Sequence, residues 1–119
     1  YFDYRQHAGP DAPGFPYPDD NGNVPVTTLE DVYRFDPREG LHGSSVDNVL
    51  GAQANVWTEY MPTEEEVERM IAPRILAMSE VLWSYPAPRD FEAFRSRARG
   101  GLDQLDQMGW RYASVPELA

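Results

Sequence analysis

Apolar residues recur at two different spacings along the chain, and the change of spacing marks out its elements. Val67, Met70, Ile71, Ile75, Met78 and Leu82 follow the three-to-four residue period of a helix with one face in a core. Thr63-Glu64-Glu65-Glu66 opens that helix as a capping box, with its acids at the positive end of the helix dipole. Pro73 lies inside the pattern and should kink or divide the helix near Ala72. Asp90 is placed to cap a further helix from Phe91, with Phe94, Leu102, Leu105 and Met108 as its buried stripe. Gly100-Gly101 weakens the middle of that helix by about 1 kcal/mol per glycine relative to alanine. Upstream, Thr27 and Glu30 have capping-box spacing for a short helix over 29–35, which Asp36-Pro37 ends.

Residues 48–56 change to a period of two, as a strand requires. Leu50, Ala52, Ala54 and Val56 form one apolar face, suited to packing under helices. Gly51, Gln53, Asn55, Trp57 and Glu59 form the other, which is small and polar until its end. A narrow polar face suits the interior of a closed parallel barrel near its mouth. An antiparallel edge strand would show the same alternation. Tyr1-Phe2-Asp3-Tyr4 also reads as extended, and 7–26 as a long loop punctuated by Pro and Gly with a turn at "DNGN".

Composition narrows the options. At 119 residues the chain is one small domain or a piece of a larger one, and 41% hydrophobic residues are enough to build a core. A net charge of −10, with ten arginines and no lysine, argues against nucleic acid as a partner. Without cysteine, disulfides and thiol catalysis are excluded. No apolar run approaches the roughly 20 residues of a membrane-spanning helix. The first residue is Tyr1, not Met, so the start reads as internal or processed and the compartment stays open.

The chemistry-bearing residues fall in two pairs. Tyr1 and Asp3, like Trp57 and Glu59, lie two apart at the end of a stretch read as extended, so each pair should project to one side. An aromatic with a carboxylate suits a pyranose: C–H patches rest on the ring and hydroxyls donate to the acid. Read alone, Trp57 is a core aromatic before it is a pocket wall, and Glu59 a surface carboxylate before it is a ligand. His7 and His42 sit in separate loops without ligand spacing, so no metal site is expected. Trp83 and Trp110 read as structural, and Arg95, Arg97 and Arg99 as a solvated helix face.

The segments "YFD", "TTLEDVYRFDP", "LGAQANVWTEYMPTEEEVERMIAPRILAMSEVLWS" and "LDQLDQMGWRY" together resemble the C-terminal end of glycoside hydrolase family 20, the β-N-acetylhexosaminidases. The resemblance covers nearly the whole chain apart from the loop 7–26. It implies an α/β fold, with residues 1–119 as the C-terminal part of a (β/α)8 TIM barrel: the end of strand seven, strand eight and the closing helices. It implies exo-acting removal of terminal N-acetylglucosamine or N-acetylgalactosamine from an N-acetylhexosaminide or chito-oligosaccharide. That reaction retains configuration through the substrate's own acetamido group and needs no cofactor.

Carried over by motif, Tyr1 would be the catalytic residue that orients the acetamido oxygen. Asp3 would accept from a sugar hydroxyl, the 6-hydroxyl by analogy. Trp57 would wall the pocket and Glu59 would bind the 4-hydroxyl region. The family's catalytic Asp-Glu pair has no counterpart: Asp19-Asp20 falls in the loop and Glu30-Asp31 at a helix start. The chain is therefore expected to need the remainder of the barrel and to be inert alone. A non-catalytic carbohydrate-binding fragment or a purely structural helical unit are the alternatives.

Overall fold

The computed structural model describes residues 1–9, 21–84 and 87–119. The middle of the long loop, with Asp19-Asp20, and Tyr85 lie outside the described residues. Among the described residues four α-helices carry the fold: α1 (Leu29–Arg34), α2 (Glu64–Ile71), α3 (Arg74–Trp83) and α4 (Phe91–Met108). Short 3-10 turns cover Gly43–Asn48 and Pro116–Leu118.

Local chemistry sets the helix ends. The α1 capping box is one residue later than its spacing suggested: Thr28 accepts from the Asp31 amide and Asp31 returns a bond to the Thr28 amide. Thr27 is instead occupied through its backbone, its N–H bonding Arg5 and its carbonyl accepting from Arg74. Thr63 caps α2 by accepting from the Glu66 amide. As expected, Pro73 divides the long helix, and the Ala72–Pro73 peptide is cis. Asp90 caps α4 through the Ala93 amide, and Gly109 at φ 75° ends it in the left-handed conformation that glycine takes without a Cβ clash.

The core lies between α1, α3 and α4. Leu29, Val32 and Tyr33 of α1 meet Ala77, Met78 and Val81 of α3, and Phe94 and Ala98 of α4 close the side. Tyr33 stacks on Phe94 with ring centroids 4.7 Å apart, and its hydroxyl bonds the backbone of Asp90. Each of the larger apolar side chains among these, such as Leu29 and Phe94, contributes about 1.5–3 kcal/mol by its burial. The C-terminal run joins the core through Ala113 and Val115, and the Ala113 amide bonds the Ala72 carbonyl at 3.0 Å. The expected α4 stripe holds at Phe94 and Leu105 but not at Met108, which is exposed in the last turn.

The strand expected over 48–56 is not formed. Among the described residues, sheet pairing is confined to one parallel bridge, Arg5 to Val26. Residues 43–48 are a 3-10 turn, and among the described residues the following run receives one long-range backbone bond, from the Phe2 amide to the Asn55 carbonyl at 2.8 Å. A strand is a shared structure, and alternation cannot produce a ladder where no neighbour supplies the bonds. The apolar face survives in part: Ala54 and Val56 pack against the core, whereas Leu50 is 99% exposed. The N-terminal stretch is also not extended but turns at Phe2–Asp3.

The two central glycines of α4 differ. A Cβ on Gly100 would meet nothing within 4 Å, whereas one on Gly101 would sit 2.9 Å from Leu76 Cδ1 of α3. Gly100→Ala should therefore raise stability by about 0.5–1 kcal/mol. Gly101→Ala should gain less or lose, because α3 and α4 approach closely there. Urea unfolding of the two variants checks the difference.

Candidate functional site

Asp3 is 6% exposed, and among the described residues its Oδ1 meets no hydrogen-bond donor. A buried acceptor without a partner is unusual enough to point to something further that it binds. Tyr1, by contrast, is 58% exposed, with its ring 5.4 Å from that of Tyr4. The turn at Phe2–Asp3 thus separates the pair that strand alternation would have put on one side: Phe2 and Asp3 go inward and Tyr1 stays out.

Trp57 is 56% exposed and Glu59 is exposed as well, so neither is sealed in a helical core. The Met61 amide bonds the Thr58 carbonyl at 3.0 Å, which puts Glu59 and Tyr60 at the centre of a turn. Strand alternation therefore stops before Glu59. What brings the two halves together is backbone: the Phe2–Asn55 bond lays the Tyr1–Asp3 segment beside the segment leading into Trp57.

The turn at Asp3 is held from below by Arg74, which is completely buried at the start of α3. Its Nε and one Nη reach the Met70 carbonyl, Nη1 reaches those of Tyr4 and Thr27 at 3.0 Å each, and Nη2 also bonds that of Phe2. All five guanidinium N–H groups are thereby used, and the group lies 4.8 Å over the Phe2 ring. Burial lowers its pKa to about 9, while the nearby Asp3 carboxylate acts in the opposite direction. Gln6, also fully buried, donates to the Ala72 carbonyl at 3.1 Å and so ties the same N-terminal segment to the end of α2.

Sequence reasoning missed both residues. The available signal was an arginine on the same helical stripe as Ala77, Met78 and Val81, where a charge needs a compensating arrangement.

The remaining candidates are accounted for more simply. Trp83 ends α3 as expected but is 89% exposed, so it is not a core aromatic. Trp110 is half-buried in a groove with Met61, Val67 and Ile71, in keeping with a structural role. Of the α4 arginines, Arg95 bonds Glu92 and the Glu117 carbonyl, and Arg97 pairs with Glu80 across to α3. Among the described residues no cluster of acids and histidines could hold a metal ion. No described helix is long and apolar enough to cross a membrane.

Comparison with known proteins decides the lineage. Residues 1–86 match the model of the glycosyl hydrolase family 20 catalytic domain. The chain belongs to glycosyl hydrolase family 20. It is 32% identical over 91 residues to a β-N-acetylhexosaminidase of Cellulomonas fimi, covering 76% of this chain and 18% of that protein. It is 39% identical over 85 residues to a β-hexosaminidase of Porphyromonas gingivalis, covering 71% and 11% respectively. In three dimensions it resembles the family 20 exo-β-N-acetylglucosaminidase of Vibrio harveyi, solved in complex with N-acetylglucosamine. That likeness has a TM-score of 0.78 at 30% identity and covers 96% of this chain but 17% of the other. The chain thus spans less than a fifth of the length of the relatives described here. Its fold is in keeping with a piece of the TIM barrel that characterises the family.

Because Glu59 is exposed in a turn, Glu59→Gln should change unfolding free energy by no more than about 0.5 kcal/mol in a denaturant titration. Asp3→Ala should cost more than that, since it leaves the buried Arg74 guanidinium without its neighbouring negative charge.

Proposed function

We propose that this chain is the C-terminal part of a family 20 catalytic barrel, comprising the end of strand seven, the strand-eight segment and the closing helices. The protein that carries it would be an exo-acting β-N-acetylhexosaminidase. The observation that carries this reading is the fit of nearly the whole chain onto the Vibrio harveyi enzyme whose structure holds N-acetylglucosamine. The exposure of Trp57 and Glu59, and the Asp3 Oδ1 that is buried yet meets no donor among the described residues, support it.

On this reading the acetamido oxygen of the substrate attacks its own anomeric carbon, and the bond to the leaving group breaks. Water then opens the resulting oxazolinium ion with overall retention. Tyr1 donates to the acetamido oxygen and holds it on the line of attack. Asp3 accepts from a sugar hydroxyl, the 6-hydroxyl by family analogy, and Glu59 engages the 4-hydroxyl region. The Trp57 indole covers the acetamido methyl and one face of the ring, where C–H groups meet the π-system. The acid that protonates the leaving oxygen and the residue that polarises the acetamide come from the remainder of the barrel.

Three measurements test the reading together. The protein carrying this chain should release chromophore from a p-nitrophenyl N-acetyl-β-glucosaminide, whereas the isolated 119-residue segment should release none. Glu59→Gln should lower kcat/KM by about 10- to 100-fold, the equivalent of losing one charge-assisted hydrogen bond of about 1.5–3 kcal/mol. Trp57→Ala should raise KM. Turnover by the isolated segment, or none by the whole protein, would refute the assignment.

A further inference from the structure

Arg74 makes a set of bonds that the stability of α3 alone does not require. Its guanidinium could have faced solvent from the first turn of the helix, yet all five N–H groups end on main-chain carbonyls. Two of those carbonyls, Phe2 and Tyr4, bracket Asp3 in the chain. The guanidinium also rests on the Phe2 ring, so the residue before Asp3 is held by a hydrogen bond and by its aromatic face.

None of the five N–H groups donates to the Asp3 carboxylate, and its Oδ1 stays unpartnered among the described residues. The arrangement therefore fixes the Asp3 backbone and leaves one buried carboxylate oxygen with unused acceptor capacity. Lysine could not substitute. Its ammonium has three donors and no planar fork, so it cannot hold the Phe2, Tyr4, Thr27 and Met70 carbonyls together.

Resting on the family 20 reading above, we propose that Arg74 is a positioning residue for substrate binding: by gripping the carbonyls on either side of Asp3, it aims that carboxylate at a sugar hydroxyl. Arg74 touches no substrate itself. It acts through Asp3, and its effect on turnover vanishes when Asp3 can no longer accept strongly.

A double-mutant cycle in the whole protein, read as kcat/KM on a p-nitrophenyl N-acetyl-β-glucosaminide, tests this. Arg74→Lys should lower kcat/KM about tenfold in the wild-type background but less than about twofold in the Asp3→Asn background, since residues acting through one contact are not additive. A role confined to folding would give the same fractional loss in both backgrounds, and that result, or no loss in either, overturns the proposal. If Arg74→Lys does not accumulate as folded protein, Phe2→Leu removes only the ring under the guanidinium. It should then show the same non-additivity with a loss of about threefold, again because both changes act through one contact. Wild-type protein without turnover, or Asp3→Asn without effect, would instead refute the family reading of Asp3 and the positioning role with it.

Discussion

One buried cation organises this chain. The Arg74 guanidinium gathers the carbonyls of Phe2, Tyr4, Thr27 and Met70 at a single point, so the N-terminal turn, the approach to α1 and the end of α2 are fixed relative to one another. The bond from Arg74 to the Phe2 carbonyl alone spans 72 residues of sequence. A buried arginine is costly to desolvate, and it is tolerated here because each donor has an acceptor and an aromatic ring lies beneath. Removing it would leave main-chain carbonyls buried without partners, each costing about 1–3 kcal/mol. The charge and the carbonyls have to be kept or lost together.

From that point the candidate site follows by short steps. Once Phe2 is anchored on Arg74, its amide is directed at the Asn55 carbonyl, and that bond sets the path of the chain toward Trp57. Gln6 adds a second fastening to Ala72, whose carbonyl also receives the Ala113 amide. The residues proposed to meet a ligand are therefore carried on turns, and the Phe2–Asp3 turn hangs from the most deeply buried polar groups among the described residues. Loops positioned by a rigid base are a common way to build a binding surface.

The helices were largely legible in the sequence, because their signals are local. Thr63, Pro73 and Asp90 act on neighbours within four residues, and each did what its chemistry suggests. The Thr27–Glu30 reading slipped by one because two adjacent threonines offer the same hydroxyl, and the choice was made by a distant partner: Arg74 and Arg5 engage Thr27. The extended stretches were less legible for the same reason. Alternation in 48–56 records which residues face the helices, and Ala54 and Val56 do pack there. It cannot record whether a neighbouring strand is present. The four proposed site residues were picked out by spacing and given roles by resemblance to a family, whereas Arg74 was visible only as a charge on an apolar stripe.

The run from Leu50 to Trp57, which has no strand partner among the described residues, is more informative than a formed strand would be. A groove of about 270 Å³ lies along it, walled by Phe2, Ala54, Val56, Ile75, Met78 and Leu82, with the Trp83 indole at its rim. Leu50 stands almost wholly in solvent. A self-contained domain of this size would bury such residues, because an exposed apolar edge with free backbone groups invites pairing. In a closed barrel the same features are ordinary: the backbone of the run bonds strands on either side, and the apolar side faces the helical layer. The alternation thus suits a sheet whose other strands lie elsewhere in the protein, and the helices already occupy the side of the run that such a sheet would turn toward them.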